Sequence, residues 1–437
     1  MAEIRPFGGV RYNQKVTGDP AAVICPPYDI ITPQMQQELY SRSQYNFIRL
    51  EFGRQLPTDT ATVNKYTRSA ATLEQWLEGG ILKADRTPAI YLHHHRFNFQ
   101  GKKYQRRDIT VRVRLEEWDR KVIRPHEGTL VEPKGDRLNL IWALQANTSP
   151  ILALFEDEGR KVASLVARYQ PEQPIISLSS ADESHLVWAI TEPEAIKQIS
   201  AHLAAKPLYI ADGHHRYESA LTYQRERRAC LSPSSGDEAF NFVMMSLVDF
   251  ADPGLLILPP HRLVRGLAKS TISGLNASLA SFFEIEELPL NTPGVWGQVD
   301  DRLEKKASDQ VRLVVFGLST ERFIVLKLDN PTAASQMMPY FHSELYRRLE
   351  VSILDHIILE KLLGLGGDRE EARLAYSYDR VEAVNRVLDQ EYQLAFLLSP
   401  LKAETIKAIA DAGDRMPRKS TYFHPKLPAG LVFNRLA

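Results

Sequence analysis

The stretch Ile210-Ala211-Asp212-Gly213-His214-His215-Arg216-Tyr217-Glu218 joins two kinds of sequence. Before it, residues 208–211 form a short apolar run, the pattern of a buried strand; after it, residues 217–229 carry the spacing of an amphipathic helix. One glycine separates the two, so the polar side chains gather at the carboxyl end of a strand. Outward from there, residues 186–190 read as a strand, 192–205 as a helix and 242–247 as a strand, which makes 185–250 a β-α-β-α-β unit. With the hairpins and helices on either side, the fold class is α+β with mixed sheets.

Toward the N-terminus, residues 89–99 and 102–115 alternate strongly on either side of Gln100-Gly101 and predict a long β-hairpin with a tight turn. Residues 46–52 read as an extended apolar stretch, 60–77 as a helix ended by Gly79-Gly80, 138–146 as a helix and 150–155 as a buried strand. Residues 231–238, with Pro, Ser and Gly, read as a solvent loop. Beyond it, strands are expected at 311–317 and 323–328, helices at 339–363, 380–389 and 401–412, and a basic, aromatic tail at 416–433. At roughly 150 residues per domain, the 437 residues divide into three expected units, 1–155, 156–260 and 261–437, the tail of the last returning to the site.

Fifty-four Lys and Arg balance 54 Asp and Glu, so a globally basic nucleic-acid binder is disfavoured and small-molecule partners are expected, with no nucleic acid. Cys25 and Cys230 are too few and too far apart for a disulfide framework or a four-thiolate zinc site. The N-terminal residues lack a basic and an apolar signal region, and no window approaches a membrane span, so a cytoplasmic protein with no membrane partner is expected. Nothing in the sequence sets the oligomeric state.

Chemistry concentrates in three places. At the Asp212 turn, a helix N-terminus suits an anion such as phosphate; Gly213 lets the backbone approach it, His214, His215 and Arg216 supply donors, and Asp212 is able to hold a metal, take a proton or merely cap the helix. A second cluster spans Pro125-His126-Glu127-Gly128-Thr129-Leu130-Val131-Glu132-Pro133-Lys134-Gly135-Asp136-Arg137. Lys134 and Arg137, three apart, lie on one face of a helix starting near Lys134 and are placed to clamp a polyanion, while His126 and Glu127 are acid/base candidates. The third is the tail run Arg418-Lys419-Ser420-Thr421-Tyr422-Phe423-His424-Pro425-Lys426, read either as a solvated strand or as the completion of an anion site. His93-His94-His95 reads as sheet-packing or surface histidines: alternation puts His93 and His95 on one face, and no carboxylate or cysteine nearby in sequence completes a ligand set. The P-loop, dinucleotide and nucleophile-elbow patterns are absent, so phosphate chemistry needs another scaffold.

Five blocks in order, namely Cys25-Pro26-Pro27-Tyr28-Asp29, Arg124 to Arg137, Ala211 to Tyr217, Asp252-Pro253-Gly254-Leu255-Leu256-Ile257-Leu258-Pro259 and Lys419 to Phe423, resemble the bacterial and archaeal family of unknown function numbered 1015. Within it, the Asp212 to Arg216 block is similar to that of ParB/sulfiredoxin-like free-serine kinases, and the β-α-β-α-β unit resembles their core. The resemblance implies a phosphotransferase that makes O-phosphoserine from L-serine, with pyrophosphate or a nucleotide as donor and Mg²⁺ as cofactor. By the same resemblance, Asp212, His214, His215, Arg216 and Glu127 would be catalytic, and His126, Thr129, Lys134, Asp136, Arg137, Lys419, Ser420 and Thr421 would bind substrate or phosphate. Glu127, Asp29 and Glu51 compete as the carboxylate that activates serine. A ParB-like nucleotide switch or hydrolase, and a non-enzymatic sensor of a phosphorylated metabolite, are the alternatives.

Overall fold

The computed structural model describes residues 2–180, 182–230, 235–304, 310–366 and 370–436. Residues 231–234 of the expected solvent loop lie outside that range. The chain groups into two compact units: one of Met1–Pro125, Thr129–Leu256 and Pro425–Ala437, the other of His126–Gly128 and Ile257–His424.

In the first unit, among the described residues, nine strands form one mixed sheet: β1 (Ile4–Arg5), β2 (Ile90–Phe99), β3 (Lys102–Arg114), β4 (Ile123–Arg124), β5 (Ile151–Phe155), β6 (Ile176–Ser179), β7 (Glu183–Ile190), β8 (Leu208–Asp212) and β9 (Phe242–Asp249). Their order is β4-β8-β5-β9-β3-β2-β7-β6, with β1 added against β3. β8 pairs parallel with β4, β9 parallel with β5, and the other neighbours antiparallel. The hairpin β2–β3 turns through Gln100 and Gly101, both at positive φ (48° and 74°), the conformation a two-residue hairpin loop requires. β5 lies between β8 and β9, so residues on both sides of position 155 share this sheet, where the sequence reading drew a boundary.

Alternation along the strands gives each face its own core. One face carries Leu92, Ile109, Val111, Ala153 and Ile210 under α3 (Lys161–Tyr169), α4 (Pro193–Ala204) and α5 (His214–Cys230); the other carries Tyr91, Val187 and Met244 with Phe47, Trp76 and Phe433. Two further helices of this unit, α1 (Lys65–Glu78) and α2 (Val131–Leu144), pack on each other, and α2 packs on α5.

Three local readings change for identifiable reasons. Residues 46–52 are not extended: Asn46 donates to the carbonyls of Ala22 and Ile24 (2.8 and 3.0 Å) and accepts from Ile48 N–H (3.0 Å), which turns Ile48–Glu51 into a helix. α1 begins at Lys65 because Asn64 and Thr67 form a reciprocal cap. α2 begins at Val131, earlier than expected, since Pro133 falls in the first turn, where its missing N–H has no intrahelical role.

The second unit holds an antiparallel six-stranded sheet built from β10 (His261–Val264), β11 (Phe283–Pro289), β12 (Arg312–Phe316), β13 (Arg322–Leu328), β14 (Leu374–Ser377) and β15 (Leu394–Leu397) in the order β11-β13-β12-β15-β10-β14. Helices Arg380–Leu388 and Ala403–Asp411 occupy the expected stretches. The expected helix 339–363 is broken into Glu344–Arg347, Glu350–Ile353 and a π-helical segment Leu354–Leu362. Among the described residues, no helix is long and apolar enough to cross a membrane.

Candidate functional site

The turn after β8 is built by Gly213, whose φ of 97° is one that L side chains rarely adopt. A Cβ there would also stand 2.9 Å from Nε of Arg216, so the glycine makes room for the arginine that follows it by one turn. Arg216 is buried; its Nη2 donates to Asp212 Oδ2 at 2.6 Å and its Nη1 to the carbonyl of Pro150. Asp212 also receives Lys426 through its other oxygen, and the same ammonium lies 3.4 Å from Asp29. Burial alone would raise the Asp212 carboxyl, but Lys426 and Arg216 hold it well below the usual carboxylate range. Burial would likewise lower Lys426, yet Asp212 and Asp29 push it well above an ordinary lysine. Lys426, the last residue of the basic tail run, is the member of that run that reaches Asp212 here.

α2 brings a second guanidinium to this region. Arg137 donates to Asp136 (2.5 Å) and to the backbone carbonyl of Glu51 (3.0 Å), stands 3.6 Å from the Glu51 carboxylate, and lies over the Tyr28 ring at 4.0 Å. Burial pushes the Tyr28 phenol up to about 12 despite Arg137. Asp136 takes Lys65 (2.6 Å) and Tyr66 Oη (2.8 Å) as well; although burial opposes it, Arg137 and Lys65 hold its carboxyl at about 2. Arg137 and Arg216, with Asn147, Thr148 and Ser149, line one cavity of about 30 Å³. Two buried polar atoms of these groups have no hydrogen-bond partner: Nε of Arg216 and Oε2 of Glu51.

The other candidates of this unit are tied to α5. Thr129 donates to Glu218 Oε2 (2.6 Å), Lys134 pairs with the same oxygen (3.0 Å), and His215 Nε2 accepts the N–H of Leu130 (2.9 Å). His214 is buried in the first turn of α5. Arg216, Arg137 and Lys134, expected as open phosphate donors, are therefore each engaged by a carboxylate of the protein.

In the second unit, Glu127 Oε1 accepts the backbone N–H groups of Ser420 and Thr421 and the Thr421 hydroxyl, each at 3.1 Å. His126 is fully buried, with Nε2 3.0 Å from Thr421 Oγ1. Lys419 is exposed at the preceding turn with φ of 58°. His126, Glu127, Ser420 and Thr421 form a clasp between segments nearly 300 positions apart.

A family model described as a protein of unknown function (DUF1015) matches residues 4–352. The chain belongs to that family. Four of the five blocks that carried the DUF1015 resemblance fall inside the match, and the Lys419 to Phe423 block falls beyond it. A comparison with curated proteins finds none that matches. Among solved structures, a free serine kinase in complex with AMP is similar at 12% identity and a TM-score of 0.37, over 74% of this chain and 92% of that one. A conserved hypothetical protein from Pyrococcus furiosus is similar at 13% identity and 0.34, over 74% and 95%. SbnI from Staphylococcus aureus, truncated at its C-terminus, gives 10% and 0.32, over 74% and 85%.

Two further features of the DUF1015 chain were not read from the sequence. A cavity of about 510 Å³ lies against the α3 face of the large sheet, lined by His94, Arg107, Asp157, Arg160, Asp249 and Asp252 among others. On the opposite face, register brings His93, His95 and His185 together with Asp108 and Glu183. Spacing placed His93 and His95 on one face but held no signal for their partners or for the cavity, since each assembles residues distant in sequence.

Proposed function

We propose that this DUF1015 protein is a small-molecule phosphotransferase that phosphorylates the hydroxyl of free L-serine from pyrophosphate or a nucleotide. The observation that carries the reading is the convergence of two buried guanidinium groups, Arg137 and Arg216, on the lining of one small cavity, the Nε of Arg216 having no hydrogen-bond partner. A buried unmatched donor is costly, and an anionic oxygen satisfies it. The cavity admits one or two oxygens, the scale of a phosphoryl group's edge.

In the reaction, serine Oγ forms a new P–O bond, the bridging P–O bond of the donor breaks, and the hydroxyl proton passes to a carboxylate. Of the three competing carboxylates, Asp29 suits that role best. Its side chain is 25% exposed beside Lys426, whereas Glu51 is fully buried against Arg137 and Ser149, and Glu127 is occupied by the Ser420–Thr421 clasp. Phosphoryl transfer depends on positioning and charge neutralisation, which Arg216 and Arg137 supply from fixed places. Mg²⁺ finds no dedicated oxygen cage here, because the Lys426 ammonium already spans Asp29 and Asp212. We infer that Mg²⁺ arrives chelated by the donor's own phosphates, the usual habit of that ion.

The test is Arg216→Ala beside Arg216→Lys. Turnover of serine should fall by at least roughly a hundredfold in the alanine variant, with a much smaller change in serine KM. Lysine should restore it only in part, lacking the planar fork. Turnover near wild type in Arg216→Ala contradicts the proposal.

A further inference from the structure

On one face of the large sheet, His95 on β2 stands directly opposite His185 on β7, and opposite Arg106 on β3. His93 is cross-strand from Asp108, and Glu183 from Phe97. The three histidine rings are nearly parallel, with centroids 4.1 to 5.7 Å apart, and are at most 4% exposed. Such a stack needs polar partners for every ring nitrogen.

With all three imidazoles neutral, the hydrogen bonds fix which nitrogen carries each proton. A carboxylate only accepts, so His93 donates from Nδ1 to Asp108 Oδ2 at 2.9 Å. A neutral His93 then offers the lone pair of Nε2, which accepts Nδ1–H of His185 at 3.0 Å. His185 Nε2 is left as a lone pair, and it faces Glu183 Oε2 at 3.5 Å. Two lone pairs pointed at each other across that gap repel; a cation between them reverses the sign. His95 Nε2 lies 2.9 Å from the same Glu183 oxygen, while Arg106 donates to His95 Nδ1 over 3.3 Å.

We propose that His185, Glu183 and His95 bind a divalent transition-metal ion of the zinc class, with Asp108 and His93 as the relay that orients His185. The ligand atoms of the three lie within 4.8 Å of one another. In a tetrahedral site with bonds of about 2.0–2.1 Å, neighbouring ligand atoms stand about 3.3 Å apart, so the 3.5 Å between His185 and Glu183 is already near the required edge. A ligating histidine whose other nitrogen donates along a chain to a carboxylate is the supporting arrangement such sites use, and Asp108–His93–His185 provides it. At His95 the metal takes the place of the Nε2 proton, which passes to Nδ1 as the long Arg106 contact opens. Glu183 is 39% exposed at the side chain and borders an open pocket with Tyr104, Ser180 and Ser184, which gives the ion an entry path and leaves a coordination position toward solvent.

The experiment uses the full chain, stripped with a chelator and titrated with Co²⁺ as the visible probe, followed by competition with Zn²⁺. One equivalent of Co²⁺ should bind with the intense d–d absorption of a tetrahedral site, and Zn²⁺ should bleach it. Glu183→Gln and His185→Gln should each weaken binding at least tenfold, and His94→Gln, on the other face of β2, should not. Because Glu183 is partly exposed, its variant keeps the test valid should the buried His185 variant fold poorly. Absence of one-to-one uptake, or uptake that survives Glu183→Gln unchanged, overturns the proposal.

Discussion

The Asp212 cluster in the first unit and the Glu127 cluster in the second use similar residues for different ends. Around Asp212, opposite charges are paired, and Arg216 shares the lining of a small cavity with Arg137. Around Glu127, one carboxylate oxygen meets two backbone N–H groups and a hydroxyl, and the result fastens a distant segment. The contrast teaches that charged, hydroxyl-bearing motifs announce a polar assembly, and only the folded arrangement separates two guanidinium groups sharing a cavity from a fastening.

The largest effect that would sharpen this contrast is expected from Lys426→Ala. Removing the ammonium leaves half-buried Asp212 with Arg216 alone and exposed Asp29 without its neighbour, so the loss should fall at the lower end of the cost of breaking a buried pair, about 3 kcal/mol. Urea denaturation should show that loss as a lower midpoint; a change under 1 kcal/mol would break the picture of a charge-saturated turn.

Glu127→Gln should act less strongly. Gln retains an acceptor oxygen but not the charge, so the clasp to Ser420 and Thr421 should weaken by about 1–2 kcal/mol, while serine phosphorylation persists. Lost turnover with unchanged stability would return Glu127 to the acid/base role that its sequence context implied.

The remaining effect is in pH. His261, buried in the second unit, accepts the Leu398 N–H at 3.1 Å, and burial pushes its pKa down to about 4. The folded state holds this histidine neutral while the unfolded chain protonates it near 6.5, so its contribution is full above pH 6.5 and is lost as pH falls from about 6.5 to 4. Thermal melts of wild type and His261→Gln should diverge least at the acid end of that window. A constant difference between them would contradict the assignment.

Much of the fold was legible where periodicity is local. The hairpin at Gln100-Gly101, the strand–glycine–helix turn at Gly213 and the helix 403–411 all follow from spacing within one element. Reading failed where a distant partner decides, as when the Asn46 side chain bends residues 48–51 into a helix. The site divides in the same way. Asp212, Arg216, Arg137 and the tail run ending at Lys426 were visible as local motifs, but the pairing of Lys426 with Asp212 across more than 200 positions was not, and the His185–Glu183 cluster exists only through the register of β2 with β7.

The most direct test of the central claim is phosphorus NMR of the full chain with L-serine, Mg²⁺ and, in turn, pyrophosphate, ADP and ATP. The account predicts that one of these donors is consumed and that a phosphoserine resonance grows with it, dependent on Arg216. Donors that remain intact, or that are hydrolysed to phosphate with no phosphoserine formed, would contradict it.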